Sequence, residues 1–168
     1  MKWTRSELLR QSQKVTFDED VNIDASAFEG NSRINSVKDV RVDGSGWLDD
    51  EADCFYAEIH VTGIMLCPDA ITGEEIEVPF ETDSDEVYVF EDTDEDGARI
   101  VKDEVIELLP AVIDDILLEV PLQVTNASED DYPHGDGWAV ITEEAYLRDR
   151  ESRIDPRLAK LMEYKEEE

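Results

Sequence analysis

The acidic stretch after residue 90 has the residue types and spacing of a calcium loop. Its carboxylates occupy the first, third, fifth and twelfth positions of a twelve-residue pattern, at Asp92, Asp94, Asp96 and Asp103. Gly97 stands at the sixth position, where the EF-hand makes its sharp turn, and carboxylate oxygens are the ligands that Ca²⁺ prefers. However, Asp103 replaces the usual glutamate, and the segment 87–90 is β-branched and aromatic rather than helical. The stretch therefore indicates either a calcium-responsive acidic binding module or an acidic hairpin loop.

Two short segments are basic in an otherwise acidic chain. Residues 148–160 contain five basic side chains against three acidic ones, namely Arg148, Arg150, Arg153, Arg157 and Lys160. The N-terminal segment contributes Arg5 and Arg10. Arg157 follows an Asp-Pro helix start, where the helix dipole disfavours a cation, so helix formation does not require it. We predict that these segments contact RNA or an acidic partner, the alternative being internal salt bridges that hold the C-terminal helix to the acidic body.

The remaining reactive side chains do not form a recognisable catalytic arrangement. His60 is predicted to point outward from a strand, and no Ser, Cys or second His lies near it in sequence. His134 falls in a Gly-rich loop that Trp138 is expected to anchor. Cys54 and Cys67 are too few and too far apart for a zinc motif. We therefore predict a protein without catalytic residues, metal or cofactor.

The charge balance predicts the kind of partner. The chain has 45 acidic residues and 15 Lys plus Arg, a formal net charge of -30. Such a surface disfavours unaided binding to a phosphate backbone and attracts basic proteins, of which ribosomal proteins are an abundant class. There is no signal-peptide pattern and no stretch near the roughly 20 apolar residues that span a bilayer, which predicts a cytoplasmic protein.

These residues must be positioned by a sheet and one central helix. Residues 109–120 carry an apolar stripe with helical period, with Pro110 in the first turn and Pro121 after the end. Residues 15–108 read mainly as strands, with breaks at residues 44–46 and after Gly63 and an acidic loop from residue 81. We predict an α+β fold, an antiparallel sheet or small open barrel of five to seven strands covered by the central helix.

The ends of the chain are predicted to be helical. Thr4 and Glu7 form a capping box, which favours a helix within residues 1–14. Residues 121–141 read as a strand and an exposed loop, and residues 142–165 as short helices capped by Thr142 and Asp155. The length of 168 residues favours one domain over residues 1–168.

Three segments resemble the YceD-type proteins associated with accumulation of large-subunit ribosomal RNA in bacteria. Residues 137–146 and 154–161 are similar to the Gly-Trp and Asp-Pro-Arg-x-x-x-Leu ending of that family. Residues 106–121 resemble its acidic helix, which closes in Leu-x-x-Pro. Residues 63–67 stand where the family enters a cysteine motif, but Asp69 and Ala70 replace its arginine and second cysteine. The chain thus resembles the branch without those cysteines, common in Gram-positive bacteria, and does not inherit a metal site.

The resemblance implies a non-enzymatic cytoplasmic factor for rRNA accumulation or ribosome assembly. Because the net charge disfavours direct RNA contact, we predict that it acts through ribosomal proteins or large-subunit precursor particles. The calcium-responsive module is the alternative function.

Overall fold

The computed structural model describes residues 1–91 and 97–152. Contacts divide the chain into two compact units, Met1–Thr125 and Asn126–Glu168. The first unit contains a mixed sheet and two helices, so the predicted α+β class is confirmed. The assignment of one domain stays a prediction.

The main sheet has five strands in sequence order. They are β2 (Lys14–Val21), β3 (Ser36–Asp49), β4 (Cys54–Pro68), β5 (Glu75–Val89) and β6 (Arg99–Ile100). Strands β2 to β5 pair antiparallel, as predicted, whereas β6 runs parallel to the end of β5. The predicted antiparallel pairing therefore holds for four of the five strands, and the short β6 is the parallel exception. The order starts at β2 and ends at β6, so this sheet is open.

Three predicted strand breaks do not occur. β3 runs straight through residues 44–46, β4 through Gly63, and β5 through the acidic residues 81–86. The glycines are needed for close packing rather than for turns. A Cβ at Gly46 would lie 2.4 Å from Cζ of Phe55, and a Cβ at Gly44 would lie within 2.1 Å of the Glu58 carbonyl oxygen and 2.8 Å from Cζ of Phe17. Both glycines therefore make room for buried aromatic rings inside continuous strands.

The core lies on one side of the sheet. Along β4, Phe55, Ala57, Ile59 and Val61 are all buried, the two-residue period of a strand with one buried side. Phe55 is fully buried and packs against the rings of Trp3 and Tyr88, with centroids 6.4 and 6.1 Å away. This aromatic group joins the N-terminus to the sheet.

Helix α2 (Leu109–Glu119) covers the buried side of β4 and β5, begins at the predicted residue and ends one residue before the predicted end. It follows β7 (Val105–Glu107), which pairs antiparallel with β1 (Lys2–Thr4) in a separate two-stranded sheet. Val112 and Ile116 of the predicted apolar stripe are fully buried. Asp115, a charged residue on the same helix, is only 6% exposed. A hydrogen bond from the sheet satisfies its carboxylate, so a polar residue is accommodated on the buried side.

The N-terminal helix α1 (Arg5–Arg10) starts at the predicted capping box. The Thr4 hydroxyl accepts a hydrogen bond from the Glu7 amide at 3.3 Å, and the Glu7 carboxylate accepts one from the Thr4 amide at 2.9 Å. Leu8 is fully buried and packs this short helix against the core.

A buried carboxylate fixes the turn between β4 and β5 to the end of the first unit. Asp69 Oδ1 accepts hydrogen bonds from the amides of Ile71 and Thr72 at 2.7 and 3.0 Å and from the Thr125 hydroxyl at 3.0 Å. The Ala70 amide also donates to the carbonyl of Val124. Asp69, which stands where the YceD-type proteins have an arginine, thus stabilises this turn by hydrogen bonds.

The second unit contains a small hairpin and a helix. β8 (His134–Gly135) pairs with β9 (Trp138–Ala139), and α3 spans Glu143–Ser152. The Thr142 hydroxyl accepts a hydrogen bond from the Ala145 amide at 3.1 Å, which is the predicted cap. Trp138 is 57% exposed and lies against Gly135 across the hairpin, so it is not buried as an anchor. The helix predicted from Asp155 lies outside the described residues.

Among the described residues, no helix combines the length and apolar character required to cross a membrane.

Candidate functional site

Arg5, a predicted partner contact, is engaged inside the first unit. Its guanidinium donates a hydrogen bond of 2.8 Å to Asp50, pairs with Asp53 at 2.5 Å and lies 4.8 Å from the centre of the Phe90 ring. The hydrogen bond to Asp50 is the main reason why the pKa of Arg5 is raised. These contacts hold α1 to the turn between β3 and β4, and a partner role for Arg5 stays a prediction.

The other described basic candidates are exposed on helices. Arg148 on α3 pairs with Glu144 one turn earlier, at 3.4 Å. Arg10 on α1 and Arg150 on α3 are exposed and make no ion pair with another described residue. Their guanidinium groups are therefore accessible, although the two residues belong to different units. Arg153, Arg157 and Lys160 lie outside the described residues.

The calcium pattern falls mostly outside the described residues, which omit Asp92, Asp94 and Asp96. Asp103 is exposed and has a left-handed backbone with φ +54°, beside Glu104 with φ +55°. The segment before the pattern is strand β5 rather than a helix, as its sequence indicated. The calcium module stays a prediction.

The two cysteines cannot act together within the chain. Both are buried on β4, and Cys54 and Cys67 stand at opposite ends of that strand. At about 3.3 Å per residue they are roughly 40 Å apart. Burial raises the pKa of the Cys67 thiol, which disfavours the reactive thiolate. Within residues 1–91 and 97–152, no group of three or more His, Cys, Asp or Glu could hold a metal ion.

The main surface feature that the sequence did not predict is the solvent-facing side of β2 to β5, here called the outer face. Where all four strands are paired, its side chains form four rows, each listed from β2 to β5, and the name outer face is kept for these rows. Beyond them, Lys38 on β3 pairs with Glu77 on β5. The rows are Lys14, Trp47, Tyr56, Val87; Thr16, Ser45, Glu58, Asp85; Asp18, Asp43, His60, Asp83; and Asp20, Arg41, Thr62, Glu81. Seven of these side chains are carboxylates, whereas only Lys14 and Arg41 are Lys or Arg. The outer face is therefore strongly negative.

His60 stands in the middle of this face and points outward, as predicted. Its Nδ1 lies 2.7 Å from Oδ1 of Asp83, and its Nε2 lies 3.7 Å from the Glu81 carboxylate. The hydrogen bond to Asp83 raises the pKa of His60, and the charges of Asp83, Asp43 and Glu81 act in the same direction. The imidazole is thus a titratable cation within a field of carboxylates.

Four of the seven carboxylates of the outer face, Asp20 among them, make no ion pair with a described residue. Arg41 pairs with Asp18 at 2.7 Å. Asp43, Glu58 and Asp85 make no ion pair with any described residue, although Glu58 accepts a hydrogen bond from Ser45 at 3.2 Å. A depression of about 550 Å³ lies along these side chains. The face can therefore accept cations from a partner.

A partly exposed aromatic pair lies in the row next to the carboxylates. The rings of Trp47 and Tyr56 stack with centroids 5.3 Å apart and an interplanar angle of 19°. Trp47 is 36% exposed. Indole and phenol faces attract cations, and Trp and Tyr are enriched among residues that dominate protein–protein binding. This pair adds an apolar contact to the charged rows.

On the opposite side of the sheet, charged side chains are paired within the chain. Arg99 donates hydrogen bonds to Glu86 at 2.5 Å and to Asp114 at 2.8 Å, and the bond to Glu86 is the largest cause of its raised pKa. Burial raises the pKa of Tyr88 beside it. This network joins β6, β5 and α2, so these charged side chains have a structural role.

One signal in the sequence could have revealed the outer face. Glu81, Asp83 and Asp85 alternate with half-buried residues, the period of a strand with one wet side. Because the residues from 81 onward were interpreted as an acidic loop, a strand was not predicted there.

Comparisons with known proteins agree with the resemblance. The family model described as "Large ribosomal RNA subunit accumulation protein YceD" matches residues 57–165. The chain is also 34% identical to "Uncharacterized protein YlbN" of Bacillus subtilis (strain 168), over 96% of this chain and 94% of that protein. No solved structure matches the chain significantly. The extent of both matches shows that the chain belongs to the YceD family of large ribosomal RNA subunit accumulation proteins.

Proposed function

We propose that this chain is a non-enzymatic cytoplasmic factor that supports accumulation of large-subunit rRNA or assembly of the large subunit through basic protein partners. The description of its family supports the ribosomal role. The observation that carries the mode of action is the outer face, where seven carboxylates stand against Lys14 and Arg41. Ribosomal proteins and large-subunit precursor particles present basic protein surfaces of the complementary charge.

Direct binding to RNA is a weaker explanation of the proposed ribosomal role. Neutralising the charge of a phosphate needs a Lys or Arg, and the net charge of -30 opposes approach to a polyanion. Of the predicted basic contacts, Arg5 is paired with two aspartates and Arg148 with Glu144. Any RNA contact through residues 148–160 would be local and secondary to binding of a basic protein.

The proposed role is tested in a host strain from which the gene is deleted. We expect a lower ratio of large-subunit to small-subunit rRNA, restored by the wild-type gene, and capture of basic ribosomal proteins by the tagged chain. Capture should weaken as salt is raised from about 0.1 M to 0.5 M, because screening shortens the reach of charge interactions. An unchanged rRNA ratio in the deletion strain would contradict the proposal.

The calcium-responsive module is the second candidate, and it rests on the spacing of Asp92, Asp94, Asp96 and Asp103. Calcium titration followed by NMR distinguishes it. A specific site would saturate and shift resonances of these residues before those of other carboxylates, whereas uniform weak shifts would exclude it.

A further inference from the structure

We propose that the outer face of β2 to β5 is the docking surface for an extended, Lys- and Arg-rich protein segment. This inference rests on the proposed function, because that function requires a basic partner, and it assigns the surface and the form of the partner. Three features of the face support it: its exposure, the spacing of its carboxylates and its aromatic row.

The outer face is free of covering elements of the first unit. Helix α2 covers the other side of β4 and β5, where Ser84 and Thr82 donate hydrogen bonds to Asp115 and Glu119. On the outer face, the side chains of Glu81 and Asp83 are 73% and 83% exposed. A partner can therefore reach the rows without displacing packed elements of the first unit.

The carboxylate spacing matches that of an extended chain. Along β5, Glu81, Asp83 and Asp85 stand at every second residue, about 6.6–7 Å apart. Cations at alternate residues of an extended peptide repeat at the same distance. A segment lying along these strands can thus place successive Lys or Arg side chains against successive carboxylates, while its other side chains face away.

The aromatic row provides contacts that charge alone does not. The stacked rings of Trp47 and Tyr56 lie one row from Glu58, at one end of the carboxylates. A guanidinium or ammonium group there can lie over a ring face and also meet a carboxylate. This combination favours a basic protein segment, whose side chains can use both kinds of contact.

The charge of the face also selects against other occupants. RNA and a second copy of the same face are both negative, and their approach would be repelled. A basic segment instead relieves the mutual repulsion of neighbouring carboxylates such as Asp18 and Asp43, which are direct partners across β2 and β3.

The test compares two variants of the full chain that lose the same charge. The face variant is Asp43→Asn, Glu58→Gln, Glu81→Gln and Asp85→Asn. The control variant neutralises four exposed carboxylates elsewhere, by Glu29→Gln, Glu51→Gln, Glu74→Gln and Glu91→Gln. The probe is a fluorescent peptide of about twelve alternating Lys and Ser residues, which would span roughly 40 Å when extended. Binding is measured by anisotropy, and thermal unfolding establishes that both variants fold.

The face variant should bind the peptide about tenfold more weakly, the combined effect of several exposed ion pairs. The affinity of the control variant for the peptide should stay within about twofold of the wild-type affinity. Trp47→Ser should weaken binding of the peptide without changing the net charge. Equal loss in both charge variants, or no loss in the face variant, would overturn the proposal. A normal rRNA ratio in the deletion strain would instead refute the proposed function, so the two failures are distinguishable.

Discussion

Ser84 on β5 donates a hydrogen bond of 2.6 Å to the carboxylate of Asp115 on α2. Asp115 is 6% exposed, and burial raises its pKa. The bond therefore stabilises a buried charge at the contact between helix and sheet. We expect Ser84→Ala to lower the free energy of unfolding by about 1.5–3 kcal/mol, as measured by urea denaturation, because the carboxylate loses a hydrogen bond that water cannot fully replace.

The matched control for that change is Ser45→Ala, which removes a hydrogen bond of 3.2 Å to the exposed Glu58 on the outer face. Because water can replace this bond, Ser45→Ala should change the free energy of unfolding by no more than about 0.5 kcal/mol. Similar losses in both variants would show that burial of Asp115 does not determine the effect.

A second prediction concerns Gly46 and Phe55. In Gly46→Ala the new Cβ would lie 2.4 Å from Phe55 Cζ in a fully buried ring. We expect a loss of about 1–3 kcal/mol from overpacking. Phe55→Leu should cost less in the Gly46→Ala background than in wild type, because the smaller side chain relieves the clash. Strictly additive losses in this double-mutant cycle would exclude direct contact as the cause.

Local signals predicted the helices well. Pro110, the capping box of Thr4 and Glu7, and Thr142 each act on residues within one helical turn, so the starts of the three α-helices in the described part of the chain were evident from sequence. The buried Asp115 could not be predicted in this way, since its hydrogen-bond donor lies 31 residues earlier, on β5.

Long-range packing explains what sequence reasoning missed in the sheet. Glycine usually marks a break, but Gly44 and Gly46 sit opposite rings contributed by other strands, and the ring positions are set by strand pairing. The rows of the outer face depend on the same pairing. The alternation of Glu81, Asp83 and Asp85 was visible in sequence, but their alignment with Asp43 and Asp18 was not.

A third prediction is a pH dependence due to His60. Its pKa is raised in the folded chain by the hydrogen bond to Asp83, so its stabilising contribution is fully present below the unfolded pKa of about 6.5 and is lost as pH rises through the folded pKa. His60→Gln should therefore lower the free energy of unfolding more at pH about 6 than at pH about 8.5. The difference between the two losses should be less than about 1 kcal/mol, because the pair of His60 and Asp83 is exposed.

Chemical denaturation across that pH range measures the difference. Asp83→Asn should flatten the pH dependence in the same way, because it removes the partner that favours the protonated ring. If neither variant alters the slope of stability against pH, His60 is not the group responsible.

A fourth prediction separates a structural role of Arg5 from a binding role. Arg5→Ala removes the ion pairs with Asp50 and Asp53 and the contact with the Phe90 ring. We expect a loss of about 1–2 kcal/mol with unchanged binding of the basic peptide, measured by thermal unfolding and anisotropy. Arg10→Ala, which removes an exposed cation on the same helix, should alter stability by less than about 0.5 kcal/mol. Equal stability of the two variants would show that the Arg5 contacts contribute little.

The central claim is that the outer face supports large-subunit rRNA accumulation by binding a basic protein. The most direct measurement is the ratio of large-subunit to small-subunit rRNA in a deletion strain carrying either the face variant or the control variant at equal protein levels. We predict that the control variant restores the wild-type ratio and that the face variant leaves the deficit of the deletion strain. Full restoration by the face variant would contradict the account.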